Sequence, residues 1–305
     1  MNIIVFHQPY PQGNYKLNEF VAKQLKNQGH TVYLLQQLNG LTCTEEFVEE
    51  IKSVQPDVLY FEMLDRETFK AVEQLDCKKV LVYASRGILP NFEEITNYYG
   101  KWFTHIYTNS LNLHKLFVSK NIPSEHFEYY FSCLTDNECT FTPEYFNDSV
   151  FLGMGFARVN DKHYESERNL FFEGIPNIKF AIYGNGWPNL PHYRGLLPPD
   201  DIGKLYSSAR SAIGIIGSGQ RSMGMINNRY TEMMYSSTPI ISLNYTSIDW
   251  FGGEQYINFI KSKEDLIDTI KHISDNEFTS KAKDSSIFIK KKHDIFFEKL
   301  DEVLK

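Results

Sequence analysis

The chain has 305 residues, 42% of them hydrophobic and 23% charged, with a formal net charge of −7 at pH 7. That length suits two domains of roughly 150 residues, and the composition is that of an ordinary globular protein, which excludes disorder. The acidic balance gives no broad attraction to nucleic acid or to an anionic membrane, though a basic cleft can still sit on an acidic protein.

The chain opens directly into a strand, Ile3–Phe6, with no charged n-region before it, so no signal peptide is expected. The spacing predicts an amphipathic helix over Leu17–Gln28 ending at Gly29, a natural residue for the left-handed turn after a helix. Strands are predicted at Thr31–Leu35, Asp57–Phe61, Lys79–Ala84 and His105–Thr108, with helices at Glu45–Val54, Arg66–Leu75 and Leu111–Lys120 between and after them. This strand–helix alternation predicts a doubly wound parallel sheet with ligands at the strand C-termini. The longest apolar runs, such as Val80–Ala84, are strand-sized and too short to span a bilayer.

Cys133–Asp148, rich in Thr, Asn, Pro and Asp, breaks the rhythm and reads as a linker between domains 1–145 and 146–305. The alternation then resumes with strand Val150–Leu152, helix Glu165–Glu173 and strand Ile178–Tyr183. Further strands follow at Ala212–Ile216, Pro239–Leu243 and Tyr256–Ile260, and the Lys-rich tail is helical over Asp265–Asp275 and Thr279–Leu304. The four cysteines, Cys43, Cys77, Cys133 and Cys139, show no CxxC spacing and no neighbouring histidine pair. They read as reduced thiols of a cytoplasmic protein rather than as a zinc site or a disulfide framework.

Several junctions of the second half carry chemistry. Tyr183-Gly184-Asn185-Gly186-Trp187 ends a strand with two glycines. Gly217-Ser218-Gly219-Gln220-Arg221 leads into a helix, where exposed backbone N–H groups and the helix dipole favour an anion and Arg221 adds a guanidinium for phosphate. Asn228 and Arg229 precede Glu232, and Arg229 and Glu232 are three apart on one helix face. That spacing by itself describes an ordinary surface ion pair.

In order and spacing these segments resemble the nucleotide-sugar-binding half of a GT-B glycosyltransferase, nearest the CgeB/YkvP-like group. The resemblance covers roughly residues 150–275 and extends to the first half only through its rhythm. It implies two Rossmann-like domains facing across a cleft, the last helix packing back on the first domain. It also implies a nucleoside diphosphate sugar as donor, UDP favoured. Glu232 would take the ribose hydroxyls. Tyr183, Gly184, Gly186, Trp187 and Arg194 (in a short strand Tyr193–Leu196) would frame the base. Gly217, Ser218, Arg221 and Arg158 would hold the diphosphate, and Asn228 and Arg229 would also belong to the nucleotide-sugar site. Trp187 can equally be simple packing. Two departures stand out: the residue eight before Glu232 is Gly224, not the glutamate common in retaining enzymes, and Ser236-Ser237-Thr238 replaces a small glycine.

On the acceptor side, His7 and Glu62 end the first and third strands, and Ser85-Arg86-Gly87 the fourth, so these positions should face the ligand. His7 and Glu62 are the candidate catalytic groups. No D-x-D triad stands at a strand end, so no metal or other cofactor is indicated. The expectation is a metal-independent glycosyltransferase, with a glycan, a protein or modified DNA as acceptor. Two rivals are a DNA glycosyltransferase acting on hydroxymethylated cytosine, with Arg86, Lys101, Lys115 and Lys120 clustered on a basic face, and a non-catalytic nucleotide-sugar-binding assembly protein.

Overall fold

The computed structural model describes the chain except for residues 8–14, 39–40, 42, 63–65, 84–102, 128–132, 156–161, 175–177, 188–189 and 246–251. It contains two α/β units, Met1–Glu128 with Asp294–Lys305, and Tyr129–His293. Each is built on one parallel sheet, which is the doubly wound pair expected from the sequence.

The first sheet has β1 (Asn2–His7), β2 (Thr31–Gln36), β3 (Val58–Phe61), β4 (Lys78–Tyr83), β5 (His105–Thr108) and β6 (Ser124–His126), in the order β2-β1-β3-β4-β5-β6. The central strands are apolar on both sides, as a sheet covered by helices on two faces requires: Val58–Phe61 is buried throughout. Helix α1 (Tyr15–Asn27) buries Leu17, Val21, Ala22 and Leu25, one face at helical spacing, and Gly29 ends it at φ +90°. Helix α2 (Glu45–Ser53) starts on Thr44, whose hydroxyl accepts from the Phe47 N–H at 3.3 Å. Helices α3 (Arg66–Val72) and α4 (Leu111–Ser119) follow β3 and β5.

The second sheet has β7 (Ser149–Leu152), β8 (Phe180–Tyr183), β9 (Ala212–Gly214), β10 (Ile240–Ser242) and β11 (Ile257–Phe259), in the order β11-β10-β9-β7-β8. Its helices are α5 (Lys162–Phe172), α6 (Ile202–Ser208), α7 (Ser218–Ser222), α8 (Asn228–Tyr235) and α9 (Lys263–His272). One core joins them: Phe151, Phe171, Phe172, Phe180 and Trp187 from one side of the sequence, Ile213, Ile241, Leu266 and Ile270 from the other. The last helix, α10, runs over Asn276–Leu304, and its end from Asp294 belongs to the first unit. There Phe297 meets Phe20 edge-on, and the Tyr107 hydroxyl donates to the Lys299 carbonyl at 3.2 Å.

The segment Cys133–Asp148 is part of the second unit rather than a bare connector. The Thr142 N–H donates to the Ser208 hydroxyl at 2.7 Å, and the Tyr145 hydroxyl to Asp201 at 2.8 Å. Gly203 lies so close that a Cβ there would stand 2.6 Å from the Glu138 carbonyl oxygen. Among the described residues no helix is long and apolar enough to cross a membrane.

Candidate functional site

Both sheets reverse their strand order once, and in a parallel sheet the crevice beyond the strand C-termini at that reversal is the ligand position. In the second sheet the reversal lies between β7 and β9. The chain leaving β7 carries Gly153 and Gly155, and the chain leaving β9 carries Gly217, α7 and the start of α8.

The glycine turns are locked to each other. The Gly153 N–H donates to the Tyr183 carbonyl at 3.0 Å, Gly155 N–H to Asn185 at 2.6 Å, and Gly184 N–H to Gly195 at 2.9 Å. At Gly184, φ is +134° and a Cβ would fall 1.8 Å from the Gly153 carbonyl oxygen; at Gly155 a Cβ would fall 2.3 Å from Gly186. Only glycine allows this backbone-on-backbone approach. Gly186, at φ +80°, completes the turn. The same turn sends Trp187 inward, where it meets Phe151 and Phe172 edge-on at 5.6 and 5.5 Å and donates Nε1–H to the Gly153 carbonyl at 2.9 Å. Trp187 therefore packs in the core of the second unit. Tyr183 is also buried, its ring edge-on to Tyr145 at 6.2 Å. Arg194 is exposed, with Nη1 donating to the Pro191 carbonyl at 3.1 Å. The expected strand around it reduces to one bridge, Ile182 with Tyr193.

Helix α8 carries the polar cluster. Its cap, Asn227, accepts from the Arg229 N–H at 3.2 Å while its amide donates to the Ile215 carbonyl at 2.8 Å, tying the helix start to the end of β9. From there Arg229 Nη1 donates to Glu232 Oε2 at 2.6 Å, and Asn228 Nδ2 donates to Oε1 at 3.1 Å. The Glu232 side chain is 4% exposed against 31% for Arg229. Burial raises the Glu232 pKa above the usual carboxylate range, and Arg229 and Asn228 act against that shift. The i,i+3 pair thus joins a buried carboxylate to a partly exposed guanidinium and is not the fully exposed pair that its spacing describes.

Helix α7 spans five residues, so its dipole is small, and the Gly217 N–H faces the Gln220 side-chain oxygen at 3.4 Å. Arg221 donates to Glu167 at 2.7 Å and lies 5.1 Å from the centre of the Tyr245 ring. Glu167 and Tyr245 gave no signal in the sequence: a glutamate in a helix reads as solvated, and Tyr245 stands just after β10 and outside any motif. Arg158 lies outside the described residues, as do Ser85-Arg86-Gly87 and Lys101.

In the first sheet the reversal lies between β1 and β3. Phe6 and Phe61 are register partners with rings stacked at 4.7 Å, so strand alternation places His7 and Glu62 together on the opposite face, one residue further on. Glu62 is 1% exposed, and the buried Tyr60 phenol has its pKa pushed up by burial and then by the Glu62 charge. Among the described residues no group of three or more His, Cys, Asp or Glu is arranged to hold a metal ion.

Residues 167–300 match a family model described as glycosyl transferase-like. No curated protein matches the sequence. Among solved structures, a glycosyltransferase from Rickettsia africae is similar with a TM-score of 0.65 and 13% identity over 100% of this chain and 97% of that one. An α-glucosyltransferase in complex with UDP and a 13-mer DNA is similar with a TM-score of 0.65 and 10% identity over 100% and 99%. A UDP-GlcNAc 2-epimerase from Methanocaldococcus jannaschii is similar with a TM-score of 0.54 and 12% identity over 94% and 99%. Likeness at such identities establishes the fold, that of GT-B proteins, and leaves the reaction to the site.

Proposed function

We propose that the chain is a glycosyltransferase that moves a sugar from a nucleoside diphosphate sugar to an acceptor without a metal ion. The observation that carries this reading is the buried Glu232 carboxylate held by Asn228 and Arg229, within the matched residues 167–300, on α8. Taking a carboxylate out of water costs several kcal/mol, and an exposed pair on the same helix avoids that cost. A ligand-binding role accounts for the burial. Each Glu232 oxygen accepts from one protein donor and has a second lone pair, so the carboxylate could offer one acceptor to each of two ribose hydroxyls. UDP is favoured as the carrier because the similar structures include one in complex with UDP and one named for a UDP-sugar.

His7 and Glu62 serve the acceptor in this account. A carboxylate and an imidazole at adjoining strand ends are groups able to draw a proton from an attacking hydroxyl. The metal-free reaction is part of this proposal and rests on the sequence alone, in which no D-x-D triad stands at a strand end. The family match favours transfer over epimerisation.

The test is incubation of the full chain with UDP-glucose, UDP-galactose and UDP-GlcNAc, with and without EDTA, and chromatography of the nucleotide products. The expected result is UDP release from one of them, unchanged by EDTA. An isomerised nucleotide sugar without UDP release contradicts transfer, and EDTA-sensitive release contradicts the metal-free reaction.

A further inference from the structure

Glu167 on α5, Arg221 on α7 and Tyr245 in the chain after β10 close into one ring of contacts. Arg221 Nη1 donates to Glu167 Oε1 at 2.7 Å, and the Tyr245 hydroxyl donates to Glu167 Oε2 at 2.8 Å. The Arg221 guanidinium in turn stands 5.1 Å from the Tyr245 ring centroid, within cation–π range. Glu167 is on α5, which follows β7, and Arg221 is on α7, which follows β9, so the ring ties together the two elements flanking the strand reversal. The Glu167 side chain is 9% exposed and that of Arg221 24%. Burial, the Tyr230 phenol and the Glu167 charge all push the Tyr245 hydroxyl up, so it stays protonated and donates. Arg221 Nη2 is buried with no hydrogen-bond partner among the described residues.

We infer that Glu167 and Tyr245 are positioning residues for Arg221, holding its guanidinium in place for the diphosphate of a nucleotide. The inference rests on the donor reading above. Two effects oppose each other. Glu167 brings a negative charge toward the phosphates, which weakens their binding through space. It also removes the rotamer freedom that a long arginine side chain otherwise loses when ligand binds. The guanidinium is fixed on one edge by a charge-assisted bond and on one face by an aromatic ring, so the ordering effect is the larger.

A double-mutant cycle in the full chain tests this, read by titration calorimetry with UDP and with uridine. Glu167→Gln keeps the shape and removes the charge; Tyr245→Phe keeps the ring and removes the tether. Each is expected to weaken UDP about tenfold, the scale of one charge-assisted contact, with uridine unaffected. Added to Arg221→Ala, Glu167→Gln should change UDP affinity no further. Tighter UDP binding by Glu167→Gln overturns the inference, because the charge effect then dominates. Parallel loss of UDP and uridine overturns it too, since that marks a merely structural role, as does additivity in the cycle. Wild-type protein that binds UDP as well as both single variants do refutes the positioning role and leaves the donor reading standing. Wild-type protein that binds no UDP refutes both.

Discussion

Lowering the pH should destabilise the protein through one buried histidine. His293 on α10 is 6% exposed and stacks on Tyr235 with ring centroids 5.7 Å apart. Lys290, itself 4.8 Å from the centre of the same tyrosine ring and paired with Asp136, adds a nearby positive charge. Burial first and Lys290 second lower the His293 pKa from 6.5 to about 4. The unfolded chain therefore binds a proton between those values that the folded chain refuses, and stability falls as pH drops through that window. Integrating the linkage gives a loss of about 2 kcal/mol by about pH 5 and about 3 kcal/mol by about pH 4. His105 and His114 are lowered in the same direction, so the wild type alone does not isolate His293. The comparison is with His293→Phe, which keeps the stacked ring and cannot titrate. Urea unfolding of both proteins at about pH 7.5 and about pH 5 should show the variant losing about 2 kcal/mol less than the wild type. Equal losses refute the reasoning.

Gly184→Ala should lower stability by roughly 3 kcal/mol in urea unfolding, since its Cβ meets the Gly153 carbonyl, whereas Gly195→Ala, at φ +90° in open space, should cost only about 1 kcal/mol. Equal effects at the two positions contradict the loop-locking account. Arg229→Ala should cost about 3 kcal/mol by leaving Glu232 buried without its partner, and Arg229→Ala with Glu232→Ala should recover part of that in the same assay. His7→Ala should slow transfer about 100-fold, the scale of a lost general base, while UDP affinity measured by calorimetry stays at the wild-type value.

The strands of both sheets were legible because buried parallel strands leave continuous apolar runs such as Val58–Phe61 and Phe180–Tyr183. Ser124–His126 was not, since three polar residues at a sheet edge carry no such run. The glycine pair of Gly184 and Gly186 stood out in the sequence, but its use was not visible. Whether two glycines admit a ligand or another loop depends on what the fold brings opposite, here Gly153 and Gly155. The Arg229–Glu232 spacing was legible and its burial was not, because helical periodicity does not report what packs over a face. Arg221 was picked out for phosphate, yet its partner Glu167 lies 54 positions earlier, beyond any local pattern. His7 and Glu62 were reached by rule rather than by motif: strand ends at a reversal of strand order are ligand positions whatever residues they carry.

Calorimetric titration of UDP into wild-type protein and Glu232→Gln bears most directly on the central claim. The carboxylate is held by Arg229 at 2.6 Å and Asn228 at 3.1 Å, and the amide keeps that shape while losing the charge and half of the acceptors. The account predicts measurable UDP binding by the wild type, weakened at least about tenfold in Glu232→Gln, the scale of one lost charge-assisted hydrogen bond, with unfolding midpoints close together. Equal UDP affinity in the two proteins would show Glu232 to be a structural partner of Arg229 and nothing more, and would contradict the assignment of this unit to the nucleotide sugar.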